Sequence, residues 1–155
     1  MNFKALVIGY GNTLRSDDGF GCYTAEELER RGGLGGVEIL VLQQLTPELA
    51  DALQDFDLAV FVDADFGAGA GEIVRQRVEA QGTSSSALSH HLTPAALLAM
   101  CEALYGRAPT GYLFSVGAGS FEMGESLSPA VQAALLPVVE EIEALVLSKV
   151  QGGKV

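Results

Sequence analysis

The stretch Ala5-Leu6-Val7-Ile8-Gly9-Tyr10-Gly11-Asn12 decides the fold: an apolar run closes on a glycine pair, and a helical pattern follows over 18–31. An unbroken apolar run of this length ending at glycine reads as a strand covered on both faces, which is the habit of parallel sheets. Gly32-Gly33 stops the helix, and a second strand is expected over 37–42. The unit is strand, tight turn, helix, strand.

The pattern repeats outward. Leu58-Ala59-Val60-Phe61-Val62 is the most apolar run, and the strand expected at the centre of the sheet. Strands are also expected over 72–78, at an edge, and over 111–116. Thr46-Pro47, Thr93-Pro94 and Ser128-Pro129 each pair a capping hydroxyl with a proline at the first helical position. They predict helices from 46, from 93 to about 105, and from 128 to about 149. Pro137 should kink the last helix or end its first segment, and 151–155 reads as a frayed tail. Strands alternating with helices predict an α/β fold. The expected architecture is a three-layer αβα sandwich on a mostly parallel, twisted five-stranded sheet, with an antiparallel placement open to one edge strand. No repeat or linker divides the 155 residues, so 1–155 is read as one domain.

Charge and cysteines exclude several functions. The net charge of −11 opposes binding to nucleic acid or an anionic membrane, both of which need a basic footprint. Two cysteines, Cys22 and Cys101, sit inside apolar helical patterns and read as buried thiols, not a disulfide framework. Met1-Asn2-Phe3-Lys4 leads straight into a strand without a signal-peptide pattern, and no apolar run approaches a membrane span. A cytoplasmic protein is expected.

Gly9-Tyr10-Gly11 after a strand invites a dinucleotide reading. Three features oppose it: Leu14 stands where the third glycine belongs, Gln43 and Gln44 replace the acidic residue after the second strand, and Asp17-Asp18 would repel a pyrophosphate from the helix start. The glycines then serve to fold the loop over the strand end and deliver the two aspartates to the ligand-binding edge of the sheet. Asp17 reads better as a cap or first-turn carboxylate, while Asp18 is open to either role. Asp63 closes the most buried strand, where a carboxylate needs partners or a metal. Asp65 is a second choice, since the glycines at 67, 69 and 71 favour a solvated loop. His90 and His91, the two histidines of the chain, stand side by side before the Thr93-Pro94 helix start. Carboxylates with an imidazole suit zinc, nickel or manganese. The serines at 84, 85, 86 and 89 form no nucleophile elbow.

Taken together, these islands resemble the hydrogenase maturation proteases, endopeptidases that trim the C-terminus of the large subunit of [NiFe] hydrogenases. The resemblance spans nearly the whole chain. It rests on Val7-Ile8-Gly9-Tyr10-Gly11-Asn12 with Leu14 and Asp17-Asp18-Gly19-Phe20-Gly21, on Phe61-Val62-Asp63-Ala64 with Gly71-Glu72-Ile73, and on His91 with Pro94 and Leu98. Glu122, Gly124 and Leu127-Ser128-Pro129 are similar to the C-terminal signature of the family. The resemblance implies Asp18, Asp63 and His91 as both metal ligands and catalytic residues, with the offset from Pro94 selecting His91 over His90. It implies a nickel-loaded large-subunit precursor as partner, with the nickel presented by that substrate and zinc or cadmium able to take its place. Removal of a short C-terminal peptide by a monomer is expected. A non-catalytic metal-sensing assembly factor and a nucleotide-binding module are the alternatives. Asp17 and Asp65 are candidate general bases by proximity.

Overall fold

The computed structural model describes residues 2–81 and 92–152. The chain runs β1 (Ala5–Tyr10), a 3-10 turn (Ser16–Gly19), α1 (Phe20–Arg31), β2 (Val37–Leu42), α2 (Leu49–Leu53), β3 (Leu58–Asp65), β4 (Ile73–Val78), α3 (Pro94–Tyr105), β5 (Thr110–Gly117) and α4 (Pro129–Gly152). The five strands form one sheet in the order β2-β1-β3-β5-β4. All neighbours are parallel except β4, which pairs antiparallel with β5 at the edge. The expected architecture is the observed one, with β3 at the centre.

Alternation along the strands divides the interior in two. Ala5 and Val7 of β1 and Leu58, Val60 and Val62 of β3 pack with Phe20 and Leu28 of α1 and Val131, Val138 and Ile142 of α4. On the opposite face, Leu6, Ile8, Ala59 and Phe61 pack with Leu49 and Leu53 of α2 and Leu97, Leu98 and Cys101 of α3. Helices therefore cover both faces, which is why the central strands carry no polar positions until their carboxyl ends.

Start signals were accurate where the proline could sit inside the helix. Thr93 caps α3 by accepting from the Ala96 N–H at 3.1 Å, with Pro94 the first helical residue. Thr46-Pro47 departs from expectation. There the chain first makes a turn in which Leu49, Ala50 and Asp51 donate to the carbonyls of Thr46, Pro47 and Glu48, three residues back, and α2 begins only at Leu49. Pro137 does not end α4, which continues through it. Pro137 and Ala133 are both exposed, so the carbonyl freed by the missing N–H faces water. Gln151 and Gly152 belong to this helix rather than to a frayed tail. The third strand is also longer than expected, and continues through Asp63 to Asp65 because β5 pairs with it to that point.

The join between α1 and the sheet is very close. A Cβ on Gly21, in the first turn of α1, would overlap the carbonyl oxygen of Val62 in β3. Only hydrogen fits between helix and strand, and this contact sets the height of the helix start over the sheet. Gly21→Ala should lift α1 and lower stability by about 1–3 kcal/mol, measured as a lower urea midpoint with an unchanged slope.

Candidate functional site

The chain adds β2 on one side of β1 and β3 on the other, and the crevice at the carboxyl ends of strands at such a switch of order is where open α/β sheets bind ligands. Tyr10 follows Leu6 and Ile8 on one face of β1, Asp63 and Asp65 follow Ala59 and Phe61 on the same face of β3, and Ser115 is the register partner of Asp63 on β5. The Tyr10 hydroxyl donates to Asp63 Oδ2 at 2.9 Å, and the Ser115 hydroxyl donates to Asp63 Oδ1. Both oxygens of Asp63 are thereby oriented.

Asp18 reaches the same crevice from the 3-10 turn. Its Oδ2 accepts from the Asn12 N–H at 2.8 Å, while Asn12 Oδ1 accepts from the Leu14 N–H at 2.9 Å. Gly11, at φ 144°, is the enabling residue: a Cβ there would overlap the Asp18 carbonyl oxygen. The glycine turn holds a carboxylate rather than a phosphate. Burial pushes the Asp63 carboxyl above its usual range, and the charges of Asp65 and Asp18 push the same way against the hydrogen bonds from Ser115 and Tyr10. Burial, with Asp63 beside it, likewise raises Tyr10 and keeps its proton on the hydroxyl. The charges of Asp65 and Asp18 thus reach Asp63 and disfavour its ionised form.

Asp65 shares the face of Asp63, as the lengthened strand requires, and it is exposed with Oδ1 accepting from the Phe66 N–H at 2.8 Å. The expected glycine loop starts two residues later. Asp17 points elsewhere. Although 0% exposed, it accepts at Oδ2 from the N–H groups of Gly119 (2.7 Å) and Ser120 (2.9 Å) and from the Ser128 hydroxyl (2.8 Å), and at Oδ1 from the Ser128 N–H (2.7 Å). Burial alone would raise its pKa, but these bonds outweigh it and hold the carboxyl below the usual range. Asp17 ties the loop after β5 to the loop after β1, and its oxygens are committed to that task.

His90 and His91 lie outside the described residues, as do the serines at 84–86 and 89. Among the described residues no group of three metal-capable side chains is assembled. A groove of about 850 Å³ runs from Tyr10, Asp63, Asp65 and Ser115 past β4 to Gln81 and Leu92. The thiols behave as expected. Cys22 is buried, donates to the carbonyls of Gly11 (3.5 Å) and Leu42 (3.4 Å), and is pushed up to about 11 by burial, with Glu26 and Asp18 adding to it. Cys101 is buried and unpaired, and its pKa is likewise raised by burial.

Sequence reasoning passed over Tyr10, Ser115 and Ser128. The first two carried a signal: each is a polar residue in phase with an apolar strand face, and Ser115 interrupts the β5 run two residues before its end.

No family model matches the chain. It is 29% identical over 144 residues to the hydrogenase expression/formation protein HupD of Bradyrhizobium diazoefficiens, covering 88% of this chain and 74% of that protein. The structure superposes on the hydrogenase maturating endopeptidase HybD of E. coli with a TM-score of 0.78 and 27% identity, over 95% of this chain and 94% of that one. The [NiFe] hydrogenase maturation protease HycI of Thermococcus kodakarensis KOD1 gives 0.72 and 25%, over 94% and 92%.

Two outcomes follow from the carboxylates. Asp17→Asn turns an amide N–H toward N–H donors and should cost about 3 kcal/mol. A depressed carboxyl stabilises the fold above its unfolded pKa and loses that effect as pH falls through the folded value. The gap to wild type in urea unfolding should therefore be widest at pH 7 and shrink as pH falls below the ordinary carboxylate range. Asp63 has the opposite sign, because its raised folded pKa makes the charged form a burden above that value. Asp63→Asn should raise stability at pH 7 by about 0.5–2 kcal/mol, and the advantage should fade in acid.

Proposed function

We propose that the chain, which is similar to hydrogenase maturation endopeptidases over nearly its whole length, removes a short C-terminal peptide from the nickel-loaded precursor of a [NiFe] hydrogenase large subunit. The observation that carries this reading is that Asp63, within reach of the charge of Asp18, lines a groove of about 850 Å³ at the carboxyl ends of the strands. In this reading the nickel arrives with the substrate. Asp18 and Asp63 receive it through oxygen, the donor type that their mutual repulsion leaves most in need of a cation. Zinc or cadmium would occupy the same oxygens.

His91 is proposed as the third contact. It adjoins Leu92, which lines the groove together with Asp63. A bound divalent ion supplies polarisation of the scissile carbonyl and a water of lowered pKa. The chain supplies orientation: the Tyr10 and Ser115 hydroxyls hold Asp63, and Asn12 holds Asp18. Of the two candidate bases, Asp17 has its oxygens occupied, which favours Asp65, exposed on the face of Asp63, as the group that takes a proton from water.

Incubation with the nickel-loaded precursor should shorten the large subunit, read by mass spectrometry, while nickel-free precursor stays full length. Asp63→Asn and His91→Ala should each slow processing at least about 100-fold, and His90→Ala should retain most of it. The reverse histidine result would move the ligand to His90. Binding of the precursor without shortening would assign the chain to metal-sensing assembly instead.

A further inference from the structure

Four apolar side chains stand on the loops beside the carboxylates. Leu14 is 52% exposed, Phe66 70% and Met123 81%, and Phe121 stacks edge-on against Phe66 with ring centroids 4.2 Å apart. They come from the loops after β1, β3 and β5, so all lie at the carboxyl edge of the sheet. Phe66 directly follows Asp65 and precedes Gly67 and Ala68, which line the groove. The patch begins where the groove ends.

The backbone beneath Leu14, Phe121 and Met123 is tied in place. Ser16 N–H donates to the Gly124 carbonyl at 2.7 Å and Gly124 N–H returns to the Leu14 carbonyl at 2.8 Å. The Ser16 hydroxyl donates to the Glu122 carbonyl (2.7 Å), Arg15 Nε to that of Phe121 (3.2 Å) and the Tyr23 hydroxyl to that of Glu125 (2.9 Å). Ser16 is held at φ 53°, a left-handed conformation that a serine keeps only when its surroundings impose it. The Arg15 guanidinium lies 6.0 Å from the Phe121 ring centroid and so covers part of the patch from one side. Other exposed apolar residues, such as Leu136 and the pair Leu147 and Val150 on α4, lie away from the carboxylate edge.

Resting on the maturation reading, we propose that Leu14, Phe66, Phe121 and Met123 form a preorganised platform that docks the folded body of the large-subunit precursor, separately from the peptide held in the groove. A backbone already held in place loses little freedom on binding, so such a surface gives affinity that a mobile loop would spend on ordering. The charge around it states what the partner must carry. Glu122 and Glu125 are exposed on its rim, Asp18 and Asp65 adjoin it, and the chain bears −11 overall. The matching surface is apolar with a lysine and arginine fringe. A second copy of this chain would bring an equal negative charge to the contact and be repelled.

The test compares Phe66→Ser/Met123→Ser with wild type on nickel-loaded precursor, with Leu147→Ser as an exposed control. KM should rise at least about tenfold in the double variant, with kcat within about twofold of wild type and an unchanged unfolding midpoint; Leu147→Ser should match wild type. Should the double variant unfold early, Glu122→Lys/Glu125→Lys replaces it, since among the described residues both bond through the backbone and not the carboxylates, and it should raise KM most at low salt. Wild-type kinetics in either folded variant would overturn the platform while leaving the protease reading intact. Wild type that binds precursor without cutting it, with binding lost in the double variant, would retain the platform and overturn the protease reading. A wild-type dimer in sedimentation that the double variant abolishes would give the patch to self-association and overturn the proposal.

Discussion

The carboxylate of Asp17 holds the working end of the molecule together. Loops after β1 and β5 are joined by a single bridge between Arg15 and Gly124 and by scattered bonds to backbone carbonyls, and a buried charge with four donors from Gly119, Ser120 and Ser128 is the most concentrated of these ties. A buried ion is tolerated only when its oxygens are satisfied, so the loops are selected as a set: each donor must arrive for the charge to be stable. The neighbouring Asp18 inherits its position from this closure. One residue of the Asp17-Asp18 pair is structural and the other faces the crevice, and their adjacency in a tight turn is what turns the two side chains apart.

The site places electrostatic strain where the sheet is otherwise most stable. β3 is fully apolar for five residues and then ends on two carboxylates facing one side. Helix α1 is seated against the carbonyl of Val62, immediately before Asp63, so the strand cannot move to relieve the charge. Tyr10 and Ser115 orient Asp63 without neutralising it. The strain is stored in a rigid frame, which is the form in which it can be released by a ligand rather than by relaxation of the backbone.

Much of this was legible in the residues. Apolar runs at 5–8 and 58–62 announce buried parallel strands because nothing else tolerates such continuity beside glycine turns, and the order of the aspartates along the chain placed Asp18 and Asp63 at one edge. Asp65 was undervalued because glycines at 67 and 69 suggest that the strand has ended, whereas pairing with β5 carries it to 65. The role of Asp17 could not be read locally. Its partners lie 102–111 positions away, and a helix-start aspartate has the same sequence signature whether it caps its own helix or bonds a distant loop. Thr46-Pro47 misled for a related reason, since a capping pair also suits a turn that precedes the helix.

The thiols bear on metal exchange. Cys22 spends its S–H on the carbonyls of Gly11 and Leu42 and, like Cys101, is sequestered in its protonated form. Thiolate sulfur captures soft and borderline metals and releases them slowly, whereas carboxylate oxygen exchanges them quickly. On the proposed reading, keeping sulfur out of reach while oxygen lines the crevice gives a surface of low retention, from which nickel would leave with the protein that brought it.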